Sequence, residues 1–126
     1  KFTIGAAITL KTELSMQVKG RDSSGFLSAI NLTSRDVEEA LREPLKEIVT
    51  AIKNILEEMP PDLAGDIVDN GIVLTGGGAL IRGLDVYLQN AIHLPIKIAD
   101  EPLLAVAYGT ASVLDDEKLL KLISNA

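Results

Sequence analysis

The sequence has no cysteine, which removes disulfide frameworks, thiol nucleophiles and thiolate metal sites from consideration. It has one histidine, His93, so a multi-histidine metal cluster is excluded and any Ser/His/Asp triad would depend on that residue alone. Aromatic residues make up only 3%, with no tryptophan. The core must therefore be built from Ile, Leu, Val and Ala, and a base-stacking platform for single-stranded nucleic acid is excluded. Positive charge is scarce as well. The net charge is −6, no two basic residues are adjacent, and the nearest approach to a basic patch is Lys19-Gly20-Arg21. Such a surface repels phosphate backbones, so no nucleic-acid partner is expected. No apolar run approaches the roughly 20 residues of a membrane-spanning helix, and nothing reads as a signal peptide. An initiator methionine is also missing. The chain opens at Lys1 in what reads as mid-element sequence, so a piece of a longer protein is expected.

What is present is an ordinary globular composition, 47% hydrophobic and 24% charged over 126 residues, enough for one domain with a real core. Residues 1–10 give no firm element. Leu14, Met16 and Val18 alternate with polar neighbours, the period-2 pattern of a strand with one buried face. Turn chemistry follows over residues 19–25, and Phe26, Leu27, Ile30 and Leu32 suggest a second strand, giving a hairpin with a loop longer than two residues. Thr33 or Ser34 caps a helix with acidic Asp36, Glu38 and Glu39 in its first turn. Val37, Leu41, Leu45, Ile48, Ile52 and Ile55 predict one apolar stripe along about six turns, bent at Pro44. Pro60-Pro61 ends it, and residues 62–70 predict a short helix with Leu63, Ile67 and Val68 inward.

The second half changes character. Residues 71–75 (Gly-Ile-Val-Leu-Thr) read as a strand buried on both faces, and residues 80–90 as a helix with Leu80, Leu84 and Leu88 on one side. Residues 95–99 read as a strand. Residues 103–114 read as a helix whose small residues Ala105, Ala107, Gly109 and Ala111 allow close packing on a sheet, and residues 115–124 as a last helix. Strand–helix–strand–helix after a hairpin and a long helix is an α/β assignment.

One local feature stands out for chemistry: Gly76-Gly77-Gly78-Ala79, between a strand end and a helix. Glycines admit φ > 0 and let a ligand approach bare main chain. Amides at the following helix start favour anions, and strand carboxyl ends are where ligands sit in open α/β sheets. Two readings stand, a nucleotide cradle and a tight ligand-free turn. The loop is neither a Walker A sequence nor a Rossmann fingerprint, since Ile81 stands where the latter needs glycine. Asp100-Glu101-Pro102 reads as a helix N-terminus with Pro102 in the first helical position. Asp115-Asp116-Glu117 and Glu57-Glu58 read as solvated charge, and His93 as a surface residue. No nucleophile–base pair is visible.

Several stretches, in order, resemble the carboxy-terminal part of the MreB family of bacterial actin-like rod-shape-determining proteins. They are residues 18–22 (Val-Lys-Gly-Arg-Asp), 38–45 (Glu-Glu-Ala-Leu-Arg-Glu-Pro-Leu) and 60–67 (Pro-Pro-Asp-Leu-Ala-Gly-Asp-Ile), then 71–85 from Gly71 to Asp85, 101–103 and 105–107. The glycine loop alone would fit the cell-division protein FtsA too; the Arg-Glu-Pro-Leu and Pro-Pro-Asp-Leu-Ala segments favour MreB. The resemblance implies part of an actin-like (ribonuclease H-like) ATPase fold. Residues 1–70 would be small-subdomain IIB hairpin and helices, and residues 71–126 the second half of nucleotide-binding subdomain IIA.

The resemblance further implies a full-length parent that binds ATP with Mg²⁺ and polymerises into filaments at the inner face of the cell membrane. There it would act with other cell-shape and cell-wall synthesis proteins, from the cytoplasm. Gly76, Gly77, Gly78 and Ala79 match the family's adenosine motif, on the ribose and α-phosphate side. The family's phosphate-binding hairpins, its Mg²⁺-linked and catalytic acids and its membrane-contacting segment would all lie upstream of Lys1. No metal ligand or catalytic residue is therefore expected in this piece by itself, at most weak nucleotide binding is expected at residues 76–79, and ATPase activity is implied for the parent alone. Tyr108 and Leu104 depart from the family pattern, as does Phe26-Leu27 in the hairpin. Residues 22–32 and 60–69 are candidate filament-contact surfaces. The alternatives are a stand-alone actin-like interaction module and an FtsA-like relative without catalytic activity.

Overall fold

The computed structural model describes residues 3–116, 120 and 121. Strand β1 (Ser15–Arg21) pairs antiparallel with β2 (Leu27–Thr33), in register from Ser15↔Thr33 to Arg21↔Leu27. The alternation at Met16 and Val18 holds, with both half-buried between exposed neighbours. The connecting loop is organised by one carboxylate. Asp22 Oδ1 accepts the Ser24 N–H at 2.9 Å and the Phe26 N–H at 3.0 Å, while the Asp22 N–H donates to the Phe26 carbonyl at 2.9 Å. Gly25 closes the turn with φ +85°, a conformation glycine takes at little cost.

Helix α1 (Ser34–Glu58) has 25 residues, about seven turns, and runs through Pro44. Thr33 is its cap. The Thr33 Oγ1 accepts the Asp36 N–H at 3.2 Å, and the Asp36 carboxylate accepts the Thr33 N–H at 2.9 Å, a reciprocal capping box. Ser34, buried in the first turn, accepts the Leu14 N–H on Oγ at 3.1 Å and donates its own N–H to the Leu14 carbonyl at 2.7 Å. These two bonds lock the helix start to the residue that leads into β1.

The apolar stripe of α1 differs from the expected one. Leu45 is buried, and Leu41, Val49 and Ile52 pack around the core, while Ile48 and Ile55 are 45% and 62% exposed. The inward face runs Leu41, Leu45, Val49 and Ile52, with Val49 turned to the core in place of its neighbour Ile48. Helix α2 (Pro61–Asn70) starts on Pro61 at its first position. It turns only Ala64 and Ile67 partly inward; Leu63 and Val68, expected inside, are 53% and 59% exposed.

Strand β3 (Ile72–Leu74) pairs parallel with β4 (Ile96–Ile98), and α3 (Leu84–Ile92) lies between them in sequence. Flanking bonds from the Ile72 N–H to the Pro95 carbonyl (2.8 Å) and from the Ala99 N–H to the Leu74 carbonyl (3.0 Å) extend the ladder. The core is the cluster Ala7, Leu45, Leu84, Leu88 and Ile96, joining the amino-terminal segment, α1, α3 and β4. Residues 4–7, left unassigned from sequence, are buried. Ala6 bridges Arg82, the Ala7 N–H donates to the Arg82 carbonyl at 2.9 Å, and Arg82 Nη1 reaches the Thr3 carbonyl at 3.0 Å.

Two expectations of burial fail for one reason. Val73, expected inside on a strand covered on both faces, is 58% exposed. Helix α4 (Ala105–Asp115), expected to press small residues on a sheet, has no buried residue, with Val106 76% exposed. Among the described residues the β3–β4 sheet has two strands, and no second layer buries Val73 or the residues of α4. Leu80, expected inside, is likewise partly exposed, because α3 begins at Leu84 instead of residue 80. The expected helix over 115–124 lies largely outside the described residues.

Two tests follow from this packing. Leu45→Ala should lower unfolding stability by about 2–5 kcal/mol, whereas Ile48→Ala should cost under about 1 kcal/mol, both read by urea denaturation. The Asp36 carboxyl is held below its ordinary value of 3.8, first by the Thr33 backbone N–H and then by the Thr33 side chain. A carboxyl depressed in the folded state adds stability that is present above its unfolded value and lost as pH falls through the folded one. The urea midpoint should therefore drop as pH falls below about 4, and Asp36→Asn should make that drop shallower.

Candidate functional site

The glycine turn is held from behind and open in front. Strand β3 delivers the chain to Thr75, and Gly76 then takes φ +78°, ψ 177°, a region essentially reserved for glycine. The Gly76 N–H donates to the Pro102 carbonyl at 2.6 Å. A short 3₁₀ turn (Gly77–Leu80) follows, with the Ala79 N–H on the Gly76 carbonyl at 3.2 Å and the Ile81 N–H on the Gly78 carbonyl at 3.0 Å. Ala79 is 3% exposed and anchors the turn on the core side. On the other side, a Cβ added at Gly76 or Gly78 would meet no atom of the described residues within 4 Å. Main chain is thus presented to open space, which is what a closely approaching ligand needs.

The turn does not lead straight into an α-helix, as the sequence suggested. The 3₁₀ turn, Ile81, Arg82 and the left-handed Gly83 intervene before α3 starts. Gly83 has φ +72°, and a Cβ there would lie 2.5 Å from Ile8 Cγ1, so the amino-terminal segment packs directly against this bend. The α3 N-terminus at Leu84 is therefore five residues beyond Ala79. Any anion attraction at the turn rests on the leading amides of the 3₁₀ turn instead.

The structure also brings together a pair that sequence reading kept apart. Pro102 was expected at the first position of the last-but-one helix. It lies instead in a turn before α4, where the Leu104 N–H bonds the Glu101 carbonyl at 2.9 Å, and its own carbonyl holds Gly76. The exposed carboxylates Asp100 and Glu101 come with it to the neighbourhood of the glycine turn. Parallel pairing of β3 and β4 carries this signal, because it places the residues after both strands at the same sheet end.

The other candidates stay apart from the turn. His93 is exposed and caps α3 in the left-handed conformation (φ +59°), with its N–H on the Gln89 carbonyl at 2.9 Å. Among the described residues no group of three or more His, Asp or Glu side chains could hold a metal ion, and no helix is long and apolar enough to cross a membrane. A depression of about 180 Å³ lies on the hairpin, lined by Val18, Gly20, Arg21, Asp22, Ser28 and Ile30, and shares no residue with the turn.

The backbone geometry separates two glycines by experiment. Gly76→Ala should lower stability by about 1–3 kcal/mol, through the strain of its dihedral angles. Gly78→Ala should change stability by less than about 0.5 kcal/mol, since its φ is not positive and its front is empty. Chemical denaturation of the two variants checks this.

Comparison with known proteins adds the following. The family model described as MreB/Mbl protein matches residues 1–122. The cell shape-determining protein Mbl of Bacillus subtilis is 45% identical over 108 residues, covering 84% of this chain and 32% of that protein. The cell shape-determining protein MreB of Escherichia coli K12 is 41% identical over 116 residues, covering 91% and 33%. The crystal structure of MreB5 of Spiroplasma citri bound to ADP superposes with a TM-score of 0.87 at 37% identity, covering 99% of this chain and 38% of that one. The same protein bound to AMPPNP gives 0.85 at 38% identity. The chain thus spans about a third of the length of the relatives it matches.

Proposed function

Because the chain belongs to the MreB/Mbl family of cell shape-determining proteins, we propose that it supplies one wall of a nucleotide cleft in an actin-like filament-forming protein. Its α/β fold is the actin-like fold of the MreB structures. In this reading residues 1–70 are the small subdomain IIB and residues 71–126 the second half of subdomain IIA. The observation that carries the proposal is the glycine turn, clamped to Pro102 at the back, with room in front of Gly76 and Gly78 that no described residue fills. Gly76, Gly77, Gly78 and Ala79 would approach the ribose and α-phosphate of ATP through main chain. The nucleotides named for the Spiroplasma citri relative support a nucleotide as the ligand class.

In this proposal the rest of the chemistry comes from elsewhere in the full-length protein. Phosphoryl transfer needs a positioned Mg²⁺ and a residue that orients the attacking water, and no acidic cluster among the described residues would hold the ion. The ion and those residues belong, in this proposal, to the two thirds of the relatives' length that the chain does not span. The same holds for membrane contact at the inner face of the cell membrane and for contacts with cell-wall synthesis proteins. The cellular role proposed is a cytoskeletal one in the cytoplasm, governing rod shape.

Exposed apolar surface favours self-association. Phe26 and Leu27 at the hairpin end are 73% and 85% exposed, and Leu103, Val106 and Leu114 stand clear on and beside α4. Faces of that kind mark sites of association.

Calorimetric titration of this chain with Mg²⁺–ATP should give binding no tighter than micromolar and no turnover. Submicromolar affinity or measurable hydrolysis would contradict the proposed division of labour. In analytical ultracentrifugation the weight-average mass should rise with concentration; a strict monomer at every concentration would remove self-association.

A further inference from the structure

We propose that the Asn70–Gly71 peptide is a site of spontaneous deamidation, and that the folded end of α2 holds it shut. Asparagine followed by glycine closes into a succinimide more readily than other pairs, because glycine has no side chain to shield its nitrogen. The Gly71 nitrogen loses its proton and bonds to Asn70 Cγ; the Cγ–Nδ2 bond breaks and the side-chain nitrogen leaves as ammonia. Water then opens the ring at either carbonyl, leaving aspartate or isoaspartate. Nothing is oxidised or reduced, and the chain gains one negative charge.

Both reacting groups are restrained in the fold. The Gly71 N–H, which must give up its proton, donates to the Ile67 carbonyl at 2.8 Å. Asn70 Nδ2 donates to the Asp66 carbonyl at 3.0 Å, which draws the carboxamide back along α2. Reaction requires this last turn to open. Opening is within reach, because α2 has no buried residue and carries Gly65 in its interior.

The reactive dipeptide is also one the fold cannot discard at its glycine. Gly71 has φ +79°, and a Cβ there would run into the Pro95 carbonyl oxygen and lie 2.9 Å from Pro95 Cβ. That same carbonyl accepts the Ile72 N–H and begins the pairing of β3 with β4. Isoaspartate lengthens the main chain at this joint, immediately before the strand that delivers Gly76. Deamidation therefore acts on the glycine turn from five residues upstream of Thr75.

The test follows Asn70 by peptide mapping during incubation at neutral pH, in the native chain and in urea. The native rate should be at least about ten-fold slower than the unfolded rate. Gly65→Ala, whose new Cβ meets no atom within 4 Å, should tighten α2 and slow the native reaction about five-fold, while Ala64→Gly should speed it by a similar factor. Neither should change the rate in urea. Equal rates in the native and unfolded chain, no reaction in urea, or a native rate indifferent to both variants would each overturn the proposal.

Discussion

The structure depends on one packing event, the burial of the inner face of α3. Leu88 is 1% exposed and Leu84 7%, and they meet Leu45 from α1, Ile96 from β4 and Ala7 from the amino-terminal segment. Full burial of a leucine is worth about 1.5–3 kcal/mol. Among the described residues this cluster is the main link between the helices that precede Gly71 and the strands that follow it. It also decides where the glycine turn sits, since α3 begins five residues after Ala79 and β4 lies beside β3.

The turn itself is shaped by backbone constraints layered on that core. Gly76 adopts dihedral angles closed to other residues and is clamped by Pro102, Ala79 is buried, and Gly83 bends the chain against Ile8. Side chains contribute little. This fits a chain without cysteine and with one exposed histidine: whatever binds there meets amides and open space. Under the proposed function the ligand of that geometry is a nucleotide, and the chemistry of hydrolysis would come from elsewhere in the full-length protein.

Much of this was legible in the sequence where a local rule applied. The Thr33 cap with acidic Asp36, the hairpin around the Asp22 turn, the strand before Gly76 and the glycine turn each follow from a few neighbouring residues. Three things were not legible. Residues 4–7 carry no periodic pattern because their order comes from pairing with Arg82, 75 or more residues away. The Gly76–Pro102 clamp depends on parallel strand pairing, which spacing alone does not reveal. Burial was overestimated at Val73 and along α4 because apolar content was read as packing, and the second layer those faces would need is not among the described residues. On α1 both Ile48 and Val49 are apolar, so only the packing against α3 could choose between them.

The central claim is that residues 76–79 present main chain to a nucleotide. Residue-resolved amide spectra during titration with Mg²⁺–ATP test it most directly. The account predicts saturable shifts concentrated at Gly76, Gly77, Gly78 and Ala79, with the hairpin amides of β1 and β2 unmoved. Shifts confined to the hairpin, or none at the glycine turn at saturating nucleotide, would contradict it.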